Sequence, residues 1–78
     1  MDAIEVQARL EASGKLIPIE FSWLGRTYFV SSIGRRWKDS QGQHILVQAN
    51  GEQVYELLFQ AGAEQWWLVK KPVFPSVA

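Results

Sequence analysis

Apolar and polar residues alternate along residues 3–12, AIEVQARLEA. Each even-numbered position from Ile4 to Ala12 is apolar, whereas the odd-numbered positions between them carry glutamate, glutamine or arginine. A period of two residues is typical of a β-strand with one buried face. A helix needs apolar residues three and four positions apart, and Gln7 and Glu11 interrupt that face, although alanine, glutamate and leucine favour helices individually. The pattern therefore predicts a strand.

The next segment, KLIPIEFSW at residues 15–23, predicts a second strand that pairs with the first. Ser13-Gly14 between them has the composition of a two-residue hairpin turn. Pairing across this turn opposes apolar residues four times, in the pairs Leu10–Ile17, Ala8–Ile19, Val6–Phe21 and Ile4–Trp23. One register thus explains the apolar positions of both strands.

The stretch FSWLGRTYFV, residues 21–30, predicts a second reversal and a third strand. Leucine is unfavourable at positive φ, so a bulged turn with Gly25 in the left-handed region is favoured over a tight loop at Leu24-Gly25. Phe29 is expected to point outward. The residues expected to share one interior with the apolar face of the first two strands are Phe21, Trp23, Tyr28 and Val30, in the pairs Phe21–Tyr28 and Ile19–Val30.

The alternation of apolar and polar residues changes phase after residue 30. Ser31 and Ser32 separate Tyr28 and Val30 from Ile33 and Trp37, which are at odd-numbered positions. A β-bulge at this point would return Ile33, and then Trp37, to the inner face. Pro18 falls opposite Ser31 in the register above, and a proline lacks the N–H that a ladder needs. The two irregularities therefore support each other.

The rest of the chain continues the strand pattern after a polar loop at residues 39–43. HILVQA and EQVYELLFQ flank Asn50-Gly51, a strong hairpin signal, and QWWLVKK follows a further turn. The prediction is an all-β fold of about six consecutive antiparallel strands, curled into a small barrel or half-barrel.

Seventy-eight residues make a single domain, predicted over residues 1–72 and followed by an extended tail at 73–78. Eight basic and eight acidic residues cancel, so net charge gives no support to nucleic acid or an anionic membrane as partner. The chain has no cysteine, no apolar run of membrane-spanning length and no evident signal peptide. A cytoplasmic location is expected.

Several of these segments resemble a group of small bacterial domains. The shared order is FSWLGRTYFV, Ile33, Trp37, VYELLF and WWLVKK, and the resemblance covers residues 17 to about 70. Those domains have no assigned function and no catalytic residues, and they are often encoded near translesion-polymerase or DNA-repair genes. The resemblance implies an accessory role in DNA repair. Leu24 stands where the family often has arginine.

His44 is the only histidine and the one candidate for a catalytic base, with Asp39 or Glu56 to orient it. No motif places a nucleophile or a phosphate loop, and a lone strand histidine is more often a surface or turn-proximal residue. Glu52 and Glu56 are expected to be solvated strand charges. The sequence therefore predicts no enzyme, no metal site and no cofactor.

The basic segment RRWK, residues 35–38, supports two interpretations. Alternation places Arg35 beside Trp37, with Arg36 and Lys38 facing water. A nucleic-acid-binding ridge would combine these charges with a stacking ring. The other interpretation, an arginine covering an aromatic ring at a charged sheet edge, is favoured by the zero net charge.

Trp66 and Trp67 are adjacent in the last predicted strand, so their rings must point to opposite faces of the sheet. The resemblance assigns Trp66 and Leu68 to the core, which leaves Trp67 outward near Val69. With Phe29, these form a candidate contact patch, unless Val73 and Phe74 of the tail cover it.

The preferred function is a non-catalytic binding module. Its partner is a protein or a second copy of the chain, contacted through Phe29, Trp67 and Val69. The alternative is a nucleic-acid accessory module that uses Arg35, Arg36, Trp37 and Lys38.

Overall fold

The computed structural model of the protein describes residues 1–70 and has six β-strands. They are β1 Asp2–Leu10, β2 Leu16–Trp23, β3 Arg26–Lys38, β4 Gln43–Ala49, β5 Gln53–Gln60 and β6 Gln65–Lys70. Consecutive strands pair antiparallel, and β6 returns to β1 to close a barrel, which confirms the all-β meander. The predicted domain end at residue 72 and the predicted tail 73–78 lie outside the described residues. Residues 1–70 contain no helix that is long and apolar enough to cross a membrane.

The rings before and after Gly25 share one interior, as the alternation predicts. Phe21 is 1% exposed and Tyr28 is 7% exposed. Their rings stack at 5.1 Å between centroids, and Tyr55 meets Phe21 edge-on at 5.2 Å. The buried core comprises Ile4, Phe21, Tyr28, Ile45, Val47, Ala49, Tyr55, Leu57, Trp66 and Leu68.

The register between β1 and β2 is the predicted one only in the half away from their turn. Val6 opposes Phe21, but a bulge follows, and the next pairs are Ala8–Pro18, Arg9–Ile17 and Leu10–Leu16. The predicted pairs Leu10–Ile17 and Ala8–Ile19 are therefore wrong. Ile19 is the extra residue of the bulge and is 46% exposed, so it does not reach Val30 in the interior.

The turns explain part of this shift. The loop between β1 and β2 spans residues 11–15, with the Glu11 N–H donating to the Lys15 carbonyl, and is longer than the predicted two-residue turn. The β2–β3 loop is tighter than predicted. Trp23 opposes Arg26 directly, and Leu24 and Gly25 have φ of 51° and 74°. These angles are those of a two-residue turn whose hand matches the strand twist.

Strand β3 contains two bulges rather than one. The predicted bulge at Ser31 is confirmed, and it sets Ile33 opposite Val47 against the core. A second irregularity between Ile33 and Arg36 reverses the alternation again. It places Trp37 on the outer face, so the prediction that Trp37 returns to the interior is wrong.

Candidate functional site

A second buried cluster lies on the outer face of the barrel, centred on His44. The ladder aligns Trp37, His44, Leu58 and Trp67 in one row across β3 to β6. His44 is 3% exposed and Leu58 is fully buried, although both side chains point away from the main core. His44 was expected to be a surface or turn-proximal residue. The surface position is wrong, because side chains of neighbouring strands cover the ring, whereas the position next to a turn is correct, since β4 begins at Gln43 after the β3–β4 loop. We call Trp37, His44, Glu56 and Leu58 the outer cluster.

Two carboxylates contact the imidazole ring of His44. Nδ1 lies 2.8 Å from Glu56 Oε2 in a hydrogen bond, and Nε2 lies 2.9 Å from Asp39 Oδ2. The second contact is an ion pair in which the N–H is not aligned for a hydrogen bond. Glu56 is 7% exposed, which overturns the expectation of a solvated carboxylate, whereas Glu52 is exposed in the β4–β5 turn.

These contacts favour the charged imidazolium. Burial by itself lowers the pKa of His44, but the two carboxylates that contact the ring outweigh burial, and the pKa is raised above 6.5. The same contact with His44 lowers the pKa of Asp39. An imidazolium carries a proton on both nitrogens, so neither nitrogen has a lone pair with which to act as a base.

The β3–β4 loop positions Asp39. Its Oδ1 accepts a hydrogen bond from the Gln41 N–H at 2.8 Å, an arrangement that asparagine and aspartate adopt in turns. Gly42 has a φ of 147°, and a Cβ there would collide with the Phe59 carbonyl oxygen. The loop is therefore held closely against β5, with Asp39 Oδ2 on the histidine.

The side chains of the predicted basic ridge, residues 35–38, do not lie on one surface of the structure. Arg35 lies over the ring of Trp37 at 5.2 Å, as predicted, and His44 stacks parallel to the same ring at 5.0 Å. The prediction that Arg36 faces water is wrong, because the second bulge turns it inward, where Nη1 donates to the Leu16 carbonyl at 2.7 Å. Lys38 is exposed.

The predicted aromatic patch is not one surface. Phe29 is 68% exposed on β3, whereas Trp67 and Val69 are half-buried on β6, which lies across the barrel from β3. Trp67 packs in the row of the outer cluster and donates its indole N–H to Gln60 at 2.8 Å. Val73 and Phe74, the predicted cover, lie outside the described residues.

Trp66 and Leu68, which the resemblance assigns to the core, are buried, at 9% and 2% exposure. The alternation missed the outer cluster because it separates the two faces of a strand but does not reveal what covers the outer face. Gly34 was an available signal, since glycine inside a strand often marks a bulge. Recognising that bulge would have turned Trp37 outward, towards His44.

The described part of the chain has no group of three histidine, cysteine, aspartate or glutamate side chains arranged to hold a metal ion. No family model matches the chain, and no curated protein or solved structure matches it. The resemblance to small bacterial domains therefore stays a prediction.

Proposed function

We propose that this barrel is a non-catalytic protein-interaction module whose partner contacts the outer face of β2 and β3 around Phe29. The observation that carries the proposal is the 68% exposure of Phe29 at the last residue pair between β2 and β3. Phe29 opposes Glu20, and the bulged Ile19 beside it is 46% exposed. A large ring on a rigid backbone loses little conformational entropy when a partner covers it, and a few such residues carry most of the energy of an interface.

The chemistry of His44 supports a non-catalytic role. A general base needs a free lone pair within reach of a substrate. Both nitrogens of His44 instead lie within 3 Å of carboxylate oxygens, at 2.8 and 2.9 Å, and the ring is 3% exposed. Through these two contacts the ring of His44 joins the β3–β4 loop to β5.

The nucleic-acid alternative has less support. A base that stacks on Trp37 would have to displace the guanidinium of Arg35 or the ring of His44. Arg36 is engaged with the Leu16 carbonyl, which leaves Arg35 and Lys38 as the accessible charges of the ridge. A phosphate-binding surface normally needs more cations than these two.

The test places a photo-crosslinking amino acid at position 29 in cells of the native host. The matched control carries it at Val54, which is 37% exposed on β5. We expect a discrete protein adduct from position 29 and none from position 54. Equal adducts from both positions, or an adduct to nucleic acid, would overturn the proposal.

The crosslinked protein, once purified, allows a quantitative measurement. Phe29→Ala should lower its affinity in calorimetry by about thirtyfold, the effect of losing an interface anchor of about 2 kcal/mol. The free energy of unfolding should change by less than about 0.5 kcal/mol, because the side chain is exposed. Labelled single-stranded DNA provides the competing outcome. Salt-sensitive binding that Arg35→Ala/Lys38→Ala abolishes would favour the nucleic-acid alternative.

A further inference from the structure

Strand β1 has a partner on only one side for most of its length. It pairs with β6 through Asp2, Ala3 and Ile4, and with β2 from Glu5 to Leu10. Among residues 1–70, no strand pairs with the other side of β1 beyond Ile4. Alternate N–H and C=O groups along this side are therefore free to accept another strand.

Strand β2 also has a free edge, but that edge cannot readily accept an added strand. In this respect β1 differs from β2. Pairing between β2 and β3 ends at Glu20–Phe29, and the rest of β2 carries three features that oppose strand addition. Pro18 has no N–H to donate, Ile19 is a bulge, and Arg36 occupies the Leu16 carbonyl. Within residues 1–70, the free edge of β1 has no proline, no bulged residue and no side chain that caps its backbone groups.

The sequence of the β1 edge is complementary to itself. The outward side chains between positions 5 and 9 are Glu5, Gln7 and Arg9. When two copies of this segment lie antiparallel with a two-fold axis at Gln7, Glu5 of each copy opposes Arg9 of the other. On the inner side, Val6 opposes Ala8. Opposite charges and apolar pairs that face each other directly across a ladder stabilise it.

We propose that two copies of this chain pair through their β1 edges, in an antiparallel ladder centred on Gln7 and flanked at each end by Glu5 of one copy and Arg9 of the other. The interface is isologous, as a two-fold dimer requires, and its backbone pairing stops at Val6, because the β1–β6 register sets Gln65, the first residue of β6, beside Glu5. Leu10, 66% exposed at the end of the edge, becomes partly covered. Because this surface does not include Phe29, the dimer and the proposed Phe29 contact are independent.

The first test is a charge exchange measured by sedimentation equilibrium. Glu5→Arg and Arg9→Glu each set like charges opposite one another twice in the dimer, and each should weaken dimerisation about tenfold. The double variant restores opposite charges and should recover the affinity. Glu5 and Arg9 are four residues apart along one strand, or about 13 Å, so they do not form this pair within one copy.

A matched control is Glu52→Arg, which makes the same charge change on an exposed residue of the β4–β5 turn. It should leave the dimer unchanged. A wild-type chain that stays monomeric at every concentration would overturn the proposal. So would a double variant that dimerises no better than the single variants.

The second test uses the absence of cysteine from the chain. In the proposed register, Gln7→Cys places the two cysteines of the dimer directly opposite each other across the two-fold axis. The distance between their Cβ atoms would be that of a cross-strand pair, which is close to the Cβ–Cβ distance in a disulfide. Mild oxidation should yield a covalent dimer from Gln7→Cys much faster than from Glu52→Cys. Equal rates would contradict the register. The crosslink should form equally well in a Phe29→Ala background, because Phe29 lies outside the β1 edge. The two proposals can therefore fail separately: loss of the Gln7→Cys crosslink would count against the dimer, and loss of the adduct at position 29 would count against the protein-interaction proposal.

Discussion

Replacing His44 by glutamine removes the imidazole ring that lies between Asp39 and Glu56 and is their cation when it is protonated. The side chains of His44 and Glu56 are only 4% and 8% exposed, so the substitution leaves a buried carboxylate without its cation. Removing one member of a buried ion pair costs about 3–5 kcal/mol. We therefore expect His44→Gln to lower the free energy of unfolding by about 3 kcal/mol at mildly acidic pH.

The pH dependence of this loss follows from the two pKa shifts. The pKa of His44 is raised in the folded protein, so its contribution is complete below 6.5 and is lost as pH rises through the folded value. The pKa of Asp39 is lowered from 3.8, so its contribution is present above 3.8 and is lost as pH falls through the folded value. The difference between wild type and His44→Gln should therefore be largest between these two limits.

Urea unfolding followed by tryptophan fluorescence measures this difference at about pH 5.5 and about pH 9. The difference should be smaller at the higher pH. The double variant His44→Gln/Glu56→Gln should be more stable than His44→Gln, because it leaves no unpaired buried charge. A difference that is constant or that grows with pH would refute the assignment of His44 as a buried cation.

Three further substitutions test the local geometry, each by urea unfolding. Leu24→Asn should stabilise the protein by about 0.5–1 kcal/mol, because asparagine tolerates the positive φ better than leucine does; no gain would contradict this turn conformation. Gly42→Ala should destabilise it by more than about 1 kcal/mol through backbone strain and the collision with Phe59, and a neutral effect would contradict the close loop. Arg36→Met should cost about 1 kcal/mol through the lost hydrogen bond to Leu16, whereas the exposed Lys38→Met control should be neutral; equal effects would contradict the inward position of Arg36.

The interior could be predicted from the sequence because a period of two residues separates buried from outward positions along a strand. Val6, Phe21 and Tyr28 face one another as that period requires. The prediction fails beyond each unrecognised bulge, since one extra residue exchanges the two faces. Pro18 and Gly34 were the sequence signals of the irregularities that displaced Ile19 and Trp37.

The outer cluster could be predicted only in part. The alternation places Glu56 outward, between Tyr55 and Leu57, and that orientation is correct. Burial of an outward side chain depends on residues from other strands, here Trp37 and Leu58. Their positions are set by the register between strands, which the periodicity of a single strand does not specify.

The central claim is that the carboxylates of Asp39 and Glu56 favour the charged form of His44, which supports the proposal of a non-catalytic module. Nitrogen-15 NMR of the single imidazole tests this claim most directly, because the chain has one histidine. In a pH titration, both ring nitrogens should stay protonated to a higher pH than in an unperturbed histidine. A ring that loses its second proton at or below the pH at which an unperturbed histidine does so would contradict the account and would make His44 a candidate base again.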